Sequence, residues 1–302
     1  MDGYLHSAYA QSLSDHGEII FLPHSKGWML KRRIPNFDYY DGMGIYPLFI
    51  CENWEGLSED IEKIKNELVC FSLVTDPFGK FNKNILIREF TDVFSPFKNH
   101  FVIDLSQPFD KYISRHHWRN IKKAQRKIFV EKCELSMSIV DDWIKLYKHL
   151  IRIHNISGIP AFSEKALSRQ LEVPGAQIFR GIYGGETVAM LVWYIDNKIG
   201  YYHLGASSEL GYRLKASFAV FQQSIEYFYN IGLEWLNLGA GPGTDGEKAS
   251  GLTRFKKGWS SGTRTTYFCG KIFDRLKYAE IIRKKNILNG NYFPIYRSDE
   301  FK

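Results

Sequence analysis

At 302 residues the chain has room for about two domains. Its 44% hydrophobic content supplies a sizeable core, and 16% aromatics suits apolar grooves as well. The net charge of +7 is too moderate, and its signs too interspersed, for a nucleic-acid coat; it fits a phosphate-bearing partner such as a nucleotide cofactor, a sugar nucleotide or tRNA.

In chain order, GEIIFLP and GWMLKRRIP read as strands around a turn at His24 to Gly27. YYDGMGIYPLFI reads as a glycine loop feeding a strand. A helix follows with Ser58 as N-cap and Ile61, Ile64 and Leu68 on one face. CFSLVTD, ILIREF and HFVIDLS are expected strands, the first ended by the turn at Asp76 to Gly79. A helical region is expected from about Phe109 to Phe129. On it Arg115, Arg119, Lys122, Lys123 and Arg126 form one basic stripe. The next helix takes Asp141 or Asp142 as cap and carries Trp143, Leu146, Tyr147 and Leu150.

In the second half QIFRGIY, the turn Gly184–Gly185 and ETVAMLVWYID read as a hairpin. IGYYHLGAS is a further strand after Asn197–Lys198. The pattern predicts a helix over Arg213 to Asn230, with Leu214, Phe218, Phe221, Ile225 and Phe228 on its apolar face and Gly232 as its stop. LEWLNLGA and TRTTYFCGKIF are strands, with GLTRFKKGW between them as a short helix or tight turn.

Cys51, Cys70, Cys133 and Cys269 lack zinc-ligand or disulfide-framework spacing, so reduced thiols and no metal are expected. MDGYLHSAYAQSL lacks the basic start and apolar run of a secretory leader. No stretch nears the roughly 20 apolar residues of a membrane span. A soluble, cytoplasmic protein without stable membrane insertion is the expectation.

Two segments invite a phosphate reading. The glycine stretch after LEWLNLGA has Gly239, Gly241 and Gly243 at G-x-G-x-G spacing, which matches neither a P-loop nor a dinucleotide fingerprint. The other is SSELGYRLKAS, where a helix N-terminus with Arg213 and Lys215 suits a pyrophosphate.

YYHLGASSELGYRLKASFAVFQQSIEYFYNIGLEWLNLGAG, followed by GLTRFKKGW, resembles the second half of Fem-type and related GNAT-fold acyltransferases. RNIKKAQRK, Arg119 to Lys127, is similar to the basic helix between the halves of those proteins. The resemblance covers most of the chain and is strongest from Val173 to Trp259. It implies a mixed α/β (α+β) fold of two tandem GNAT-like domains, each a mixed central sheet flanked by helices. The expected division is an N-terminal domain over 1–135 with the basic linking helix, and a C-terminal acyltransferase domain over 136–302.

The function so implied is N-acyl transfer from acyl-CoA, such as acetyl-CoA, to a small amine: an amino sugar, an amino acid or a cell-envelope precursor. Family members that use aminoacyl-tRNA supply the alternative donor, with tRNA as partner. A non-catalytic binding module on a GNAT fold is a further alternative. The pyrophosphate signature [QR]-x-x-G-x-[GA] is met by Ser208 to Arg213 only at Gly211, and no long coiled-coil arm is present. The expected donor-binding residues are Leu204, Gly205, Ser208, Gly211, Tyr212, Arg213 and Lys215.

Direct transfer needs an amine that loses its proton, a polarised carbonyl and a protonated leaving group. No G-x-S-x-G elbow offers a nucleophile. His203 is the first candidate base on residue type. Asp245 is a candidate to bind or deprotonate the amine, and Lys256 to neutralise a phosphate or developing oxyanion. Backbone N–H groups of a bulged strand near His203 to Gly205 are expected to polarise the carbonyl. Tyr39, Tyr40, Asp41, Arg119, Gly241 and Arg254 complete the expected substrate-side residues.

Overall fold

The structure, a computed structural model, describes residues 2–242, 250–288, 290 and 292–301. Two compact units interleave along the chain. One holds Tyr9–Phe97, Ser157–Ala161 and Thr265–Lys302; the other holds Met1–Ala8, Lys98–Ile156 and Phe162–Arg264.

The first of these units contains α1 (Ser7–Ser12) in part, then strands β1 (Glu18–Leu22), β2 (Gly27–Arg33), β3 (Tyr40–Gly44) and β4 (Cys70–Val74). Helices α2 (Leu57–Ile64) and α3 (Lys83–Glu89), and late in the chain β11 (Gly262–Ile272) and α11 (Arg275–Lys284), accompany them. The strand order is β1-β2-β3-β4-β11, antiparallel except for β3 on β4. α2 is the crossover between that parallel pair. Phe49, Trp54, Phe71 and Phe90 fill the core.

The other unit takes the C-terminal part of β5 (Val93–Asp104), then β6 (Phe129–Cys133), β7 (Ala176–Tyr183), β8 (Glu186–Asp196), β9 (Ile199–Ser207) and β10 (Trp235–Gly239). Its helices are α4 (Phe109–Tyr112), α5 (Arg115–Gln125), α6 (Met137–His154), α7 (Glu164–Leu171), α8 (Glu209–Leu214), α9 (Ala216–Asn230) and α10 (Gly251–Trp259). The order is β5-β10-β9-β8-β7-β6, and β9 on β10 is the parallel pair. Gly184 and Gly185, both at positive φ, close the β7–β8 hairpin as the sequence predicts. Ile121 of α5, Phe221 and Phe228 of α9, Trp259 of α10 and Trp193 of β8 share one core. On the opposite face Tyr194 bonds to Gln170 of α7, and Phe162 packs on His203. The result is a mixed sheet with helices on both faces.

Local expectations are corrected at six points. In YYDGMGIYPLFI the glycine stretch Tyr40–Gly44 is itself β3, rather than a loop feeding a strand. ILIREF is not a strand: Asn82 caps α3 through its side chain, and Leu86 and Phe90 are buried while Ile87 is exposed. Ser58 is not a cap; α2 starts from Gly56, and the Ser58 hydroxyl is buried without a partner. Ser136, rather than Asp141 or Asp142, caps α6. The expected Phe109-to-Phe129 helix is α4 and α5, with α5 capped by Ser114 and β6 beginning at Phe129. The Arg213-to-Asn230 helix breaks at Lys215, which is left-handed at φ 61°. That break lets α8 dock on β8, where Ser208 N–H reaches Val188 O at 2.9 Å, while α9 aims its phenylalanines into the core.

α10 is fixed by a close packing contact. His117 on α5 is buried; its Nε2–H donates to Phe255 O at 2.8 Å, and its Nδ1 meets the Ser114 hydroxyl at 2.8 Å. A Cβ at Gly258 would lie 2.0 Å from the His117 ring, whose two nitrogens leave it nowhere to turn. Gly258→Ala is therefore expected to lower stability by about 1–3 kcal/mol in urea unfolding. Gly262→Ala, with nothing within 4 Å, should leave the midpoint nearly unchanged.

Candidate active site

Parallel strands β9 and β10 pair only from Trp235–Asn237 against Ile199–Tyr201. Beyond that point both continue, and each carries an irregularity. On β9 the register to β8 steps from Val192↔Leu204 to Trp193↔Tyr202, leaving His203 as the bulged residue. On β10 it steps between Asn237 and Gly239 opposite β5. The strands thus part at the level of Tyr202 and Leu238, and the expected bulge near His203 to Gly205 is present.

Side chains from three elements meet at the β10 side of this parting. Lys256 of α10 is buried, and its Nζ donates to Ala240 O at 2.8 Å and lies 5.7 Å from the Tyr202 ring centroid. Burial, with help from the positive charge of Lys98, pulls its pKa down to about 7. Lys98 of β5 donates to Gly241 O at 3.3 Å, and burial lowers its pKa too. His100, two residues further along β5 and buried, meets Asn237 Oδ1 at 3.0 Å through Nδ1. An amide oxygen only accepts, so Nδ1 carries the proton. Burial holds this histidine neutral, with a pKa of about 4. Asn237 Oδ1 also accepts the Gly239 N–H at 2.9 Å. Gly239 sits at φ +74°, and a Cβ there would lie 3.0 Å from Lys256 Nζ.

His203 lies elsewhere. Its ring stacks on Tyr194 with centroids 4.7 Å apart, its Nδ1 meets the Tyr4 hydroxyl at 3.0 Å, and its Nε2 meets Gln170 Oε1 at 3.2 Å. Burial pulls its pKa to about 3, far from the neutral range expected of the residue type. Tyr202 packs on Trp193 and Phe221 instead. Trp193 and Tyr194 are consecutive on one strand and so point to opposite faces. His203 and Lys256 therefore lie on opposite faces of the sheet.

The expected donor residues divide similarly. Ser208 caps α8 by accepting the Gly211 N–H at 3.1 Å. A Cβ at Gly211 would fall 2.0 Å from Val188 O, so helix-on-strand packing demands this glycine. At Gly205 a Cβ would meet the Tyr202 hydroxyl at 2.1 Å, which places Gly205 beside the Lys256–Tyr202 pair. Leu204 is half-buried; Tyr212, Arg213 and Lys215 are exposed. Gly241 is at the cluster through its carbonyl and packs on Thr253. Arg254 is exposed on α10. Asp245 lies outside the described residues. Arg119 is exposed on α5 with Arg115, Lys122, Lys123 and Arg126, and none of the five is paired with an acid among the described residues.

Tyr39 and Tyr40 belong to the other unit, where they line a cavity of about 490 Å³ together with Lys65, Glu67, Asp274 and Lys277. Tyr39 donates to Glu280 at 3.0 Å. Asp41 does not line that cavity: it is buried in an ion pair with Arg297 at 2.5 Å. Arg297 also holds Glu300, which binds Arg32. Among the described residues no cluster of His, Cys, Asp or Glu is placed to hold a metal, and no helix is long and apolar enough to cross a membrane.

Residues 114–257 match the acetyltransferase (GNAT) domain family. The matched segment contains β9, β10 and most of α10 with Lys256, whereas Lys98 and His100 of β5 precede it. The chain as a whole has the fold of the Fem-type and GNAT acyltransferases. FemX shares 13% identity over 84% of this chain and 86% of its own, with a TM-score of 0.62. L-PGS from Bacillus licheniformis shares 15% over 96% and 94%, with a TM-score of 0.59. A conserved protein of unknown function from Bacteroides thetaiotaomicron shares 13% over 88% and 90%, with a TM-score of 0.60. No curated protein matches the sequence.

Lys98, His100 and Asn237 escape sequence reading. Their one signal is alternation: Lys98, His100 and Val102 share a face of β5, and a polar pair on a strand's inner face needs an inner partner. The lowered pKa of Lys256 also links to stability. Between its folded value of about 7 and its ordinary 10.5, the unfolded chain holds the extra proton, so stability rises with pH. Wild type should therefore gain on Lys256→Met by up to about 1.4 kcal/mol per pH unit from pH 7 to 9, read from urea unfolding at each pH.

Proposed function

We propose that the chain transfers an acyl group directly from an activated donor to a primary amine where β9 and β10 part, with Lys256 handling the proton. One observation carries this reading: a buried amine with a pKa of about 7 sits at the parting of the parallel strands of a GNAT domain. A base or acid poised near neutrality can both accept and return a proton at physiological pH. The amine nitrogen attacks the donor carbonyl carbon and a C–N bond forms. The tetrahedral intermediate collapses with loss of the bond to the leaving sulfur or oxygen. Neutral Lys256 takes the amine proton and, as ammonium, returns it to the leaving group, so protons balance. His203, neutral and on the opposite face, is given a packing role instead.

Two donors fit. Acyl-CoA is the reading that the GNAT domain match favours. Aminoacyl-tRNA, delivering the acyl group as a ribose ester, is favoured by two other observations. The Gly211 N–H, which a pyrophosphate would use, is already taken by Ser208. The exposed cations of α5 have no acidic partner among the described residues, on a helix packed against α9 and α10. In the first case free CoA should be released from acetyl-CoA in the presence of an amine panel. In the second, binding of charged tRNA should weaken steeply with salt, and an Arg119→Glu, Lys122→Glu pair should reduce it further. Failure of both arms overturns the reading.

Whichever donor is used, Lys256→Met should lower kcat by about 10²–10⁴-fold. The wild-type rate should rise with pH to about 7 and then level, and the variant should lose that inflection. His203→Gln should keep the wild-type inflection.

A further inference from the structure

The turn from Asn237 to Gly241 is held by three side chains, two on backbone carbonyls and one on the Asn237 side chain. His100 holds Asn237 through Nδ1–H, Lys256 holds the Ala240 carbonyl, and Lys98 holds the Gly241 carbonyl. Two of the three come from a single strand. Lys98 and His100 are two residues apart on β5 and so project from one face of it. Between the held points Asn237 Oδ1 closes onto the Gly239 N–H, which forces the left-handed turn that only glycine adopts without strain. That turn directs the next carbonyl, Ala240 O, to Lys256 Nζ. The approach is tight enough that a methyl group on Gly239 would stand 3.0 Å from the nitrogen.

We propose that Lys98 and His100 are positioning residues, which together fix the Asn237–Gly241 turn and thereby the place where the Lys256 amine is presented. The proposal rests on the assignment of proton transfer to Lys256, but its geometry does not. The two act differently. His100 acts through Asn237 and sets the direction of the Ala240 carbonyl. Lys98 grips the following carbonyl and brings a second positive charge towards Lys256, which disfavours the ammonium form there. The titratable and charged groups facing Lys256 are Lys98 and His100 from β5 and Tyr202 from β9. His100 is neutral at pH 7, and burial raises the Tyr202 pKa far above neutrality. That leaves Lys98 as the charge that tunes the amine.

The test titrates Lys256 itself, without using activity. Trace acetylation of the intact protein with acetic anhydride from pH 5 to 10, read on the fragment that separates Lys256 from Lys257, gives the midpoint of that one amine. In Lys98→Met the midpoint should climb by about one unit, and in Lys98→Arg it should stay in place. In His100→Leu the freed turn should admit water and move the midpoint up, while His100→Gln, which can still donate to Asn237, should hold it. The same midpoint in wild type, Lys98→Met and His100→Leu, all with wild-type melting curves, would overturn the proposal. A midpoint that moves as described in a protein that acylates no amine would leave the positioning intact and remove the function assigned to Lys256.

Discussion

The short pairing of β9 with β10 is the constraint on which the site depends. A parallel ladder that continued to Ser207 would bury both strands in each other and leave no place for a reacting carbonyl. Here it runs only from Ile199 to Tyr201 on one side and Trp235 to Asn237 on the other. The two bulges keep it from resuming: the extra residue at His203 bends β9, and the Asn237–Gly239 step turns β10 away. Each bulge is held by polar contacts. Tyr4 and Gln170 engage His203, and His100 engages Asn237. On this view the two histidines of the unit's centre are architectural, and both are neutral because their rings are buried.

Placing an amine in the opening is a separate problem, solved by α10. The helix is seated through Gly258 against the His117 ring and through the Phe255 carbonyl, which accepts from that ring. Phe255 and Trp259 add packing against Phe218 and Phe221 of α9. Lys256 lies between these anchors and has one direction left, toward Ala240. Burial then removes most of the hydration that keeps a lysine charged, and the nearby Lys98 charge adds to it. Glycines act here through close approach: Gly258 to an imidazole, Gly211 to a carbonyl, Gly239 to the Lys256 nitrogen.

Much of the fold is legible in sequence because its signals are local. The Gly184–Gly185 hairpin and the apolar face of α9 follow from turn chemistry and helical period. Lys256 is named from the Arg254-to-Trp259 tail that follows the glycine stretch, and the structure seats it against the Ala240 carbonyl. What stays hidden depends on distant partners. The break at Lys215 carries no glycine, and it follows from the docking of Gly211 on Val188. ILIREF opens on a short apolar run that reads like a strand until the Asn82 cap is seen. His203 reads as a neutral-range base by residue type, yet burial lowers its pKa, and its Nδ1 partner Tyr4 lies 199 positions away. His100 and Asn237 are 137 positions apart, and neither belongs to a motif.

The central claim is that the donor carbonyl sits where β9 and β10 part, beside Lys256. Photocross-linking locates it directly: a donor bearing a diazirine in its acyl group, offered once as a CoA thioester and once as a tRNA ester, followed by peptide mapping. The account predicts label in 199–207, 235–242 or 250–259 with one of the two donors, and protection by the unlabelled donor. Protectable label confined to segments outside these three would contradict it.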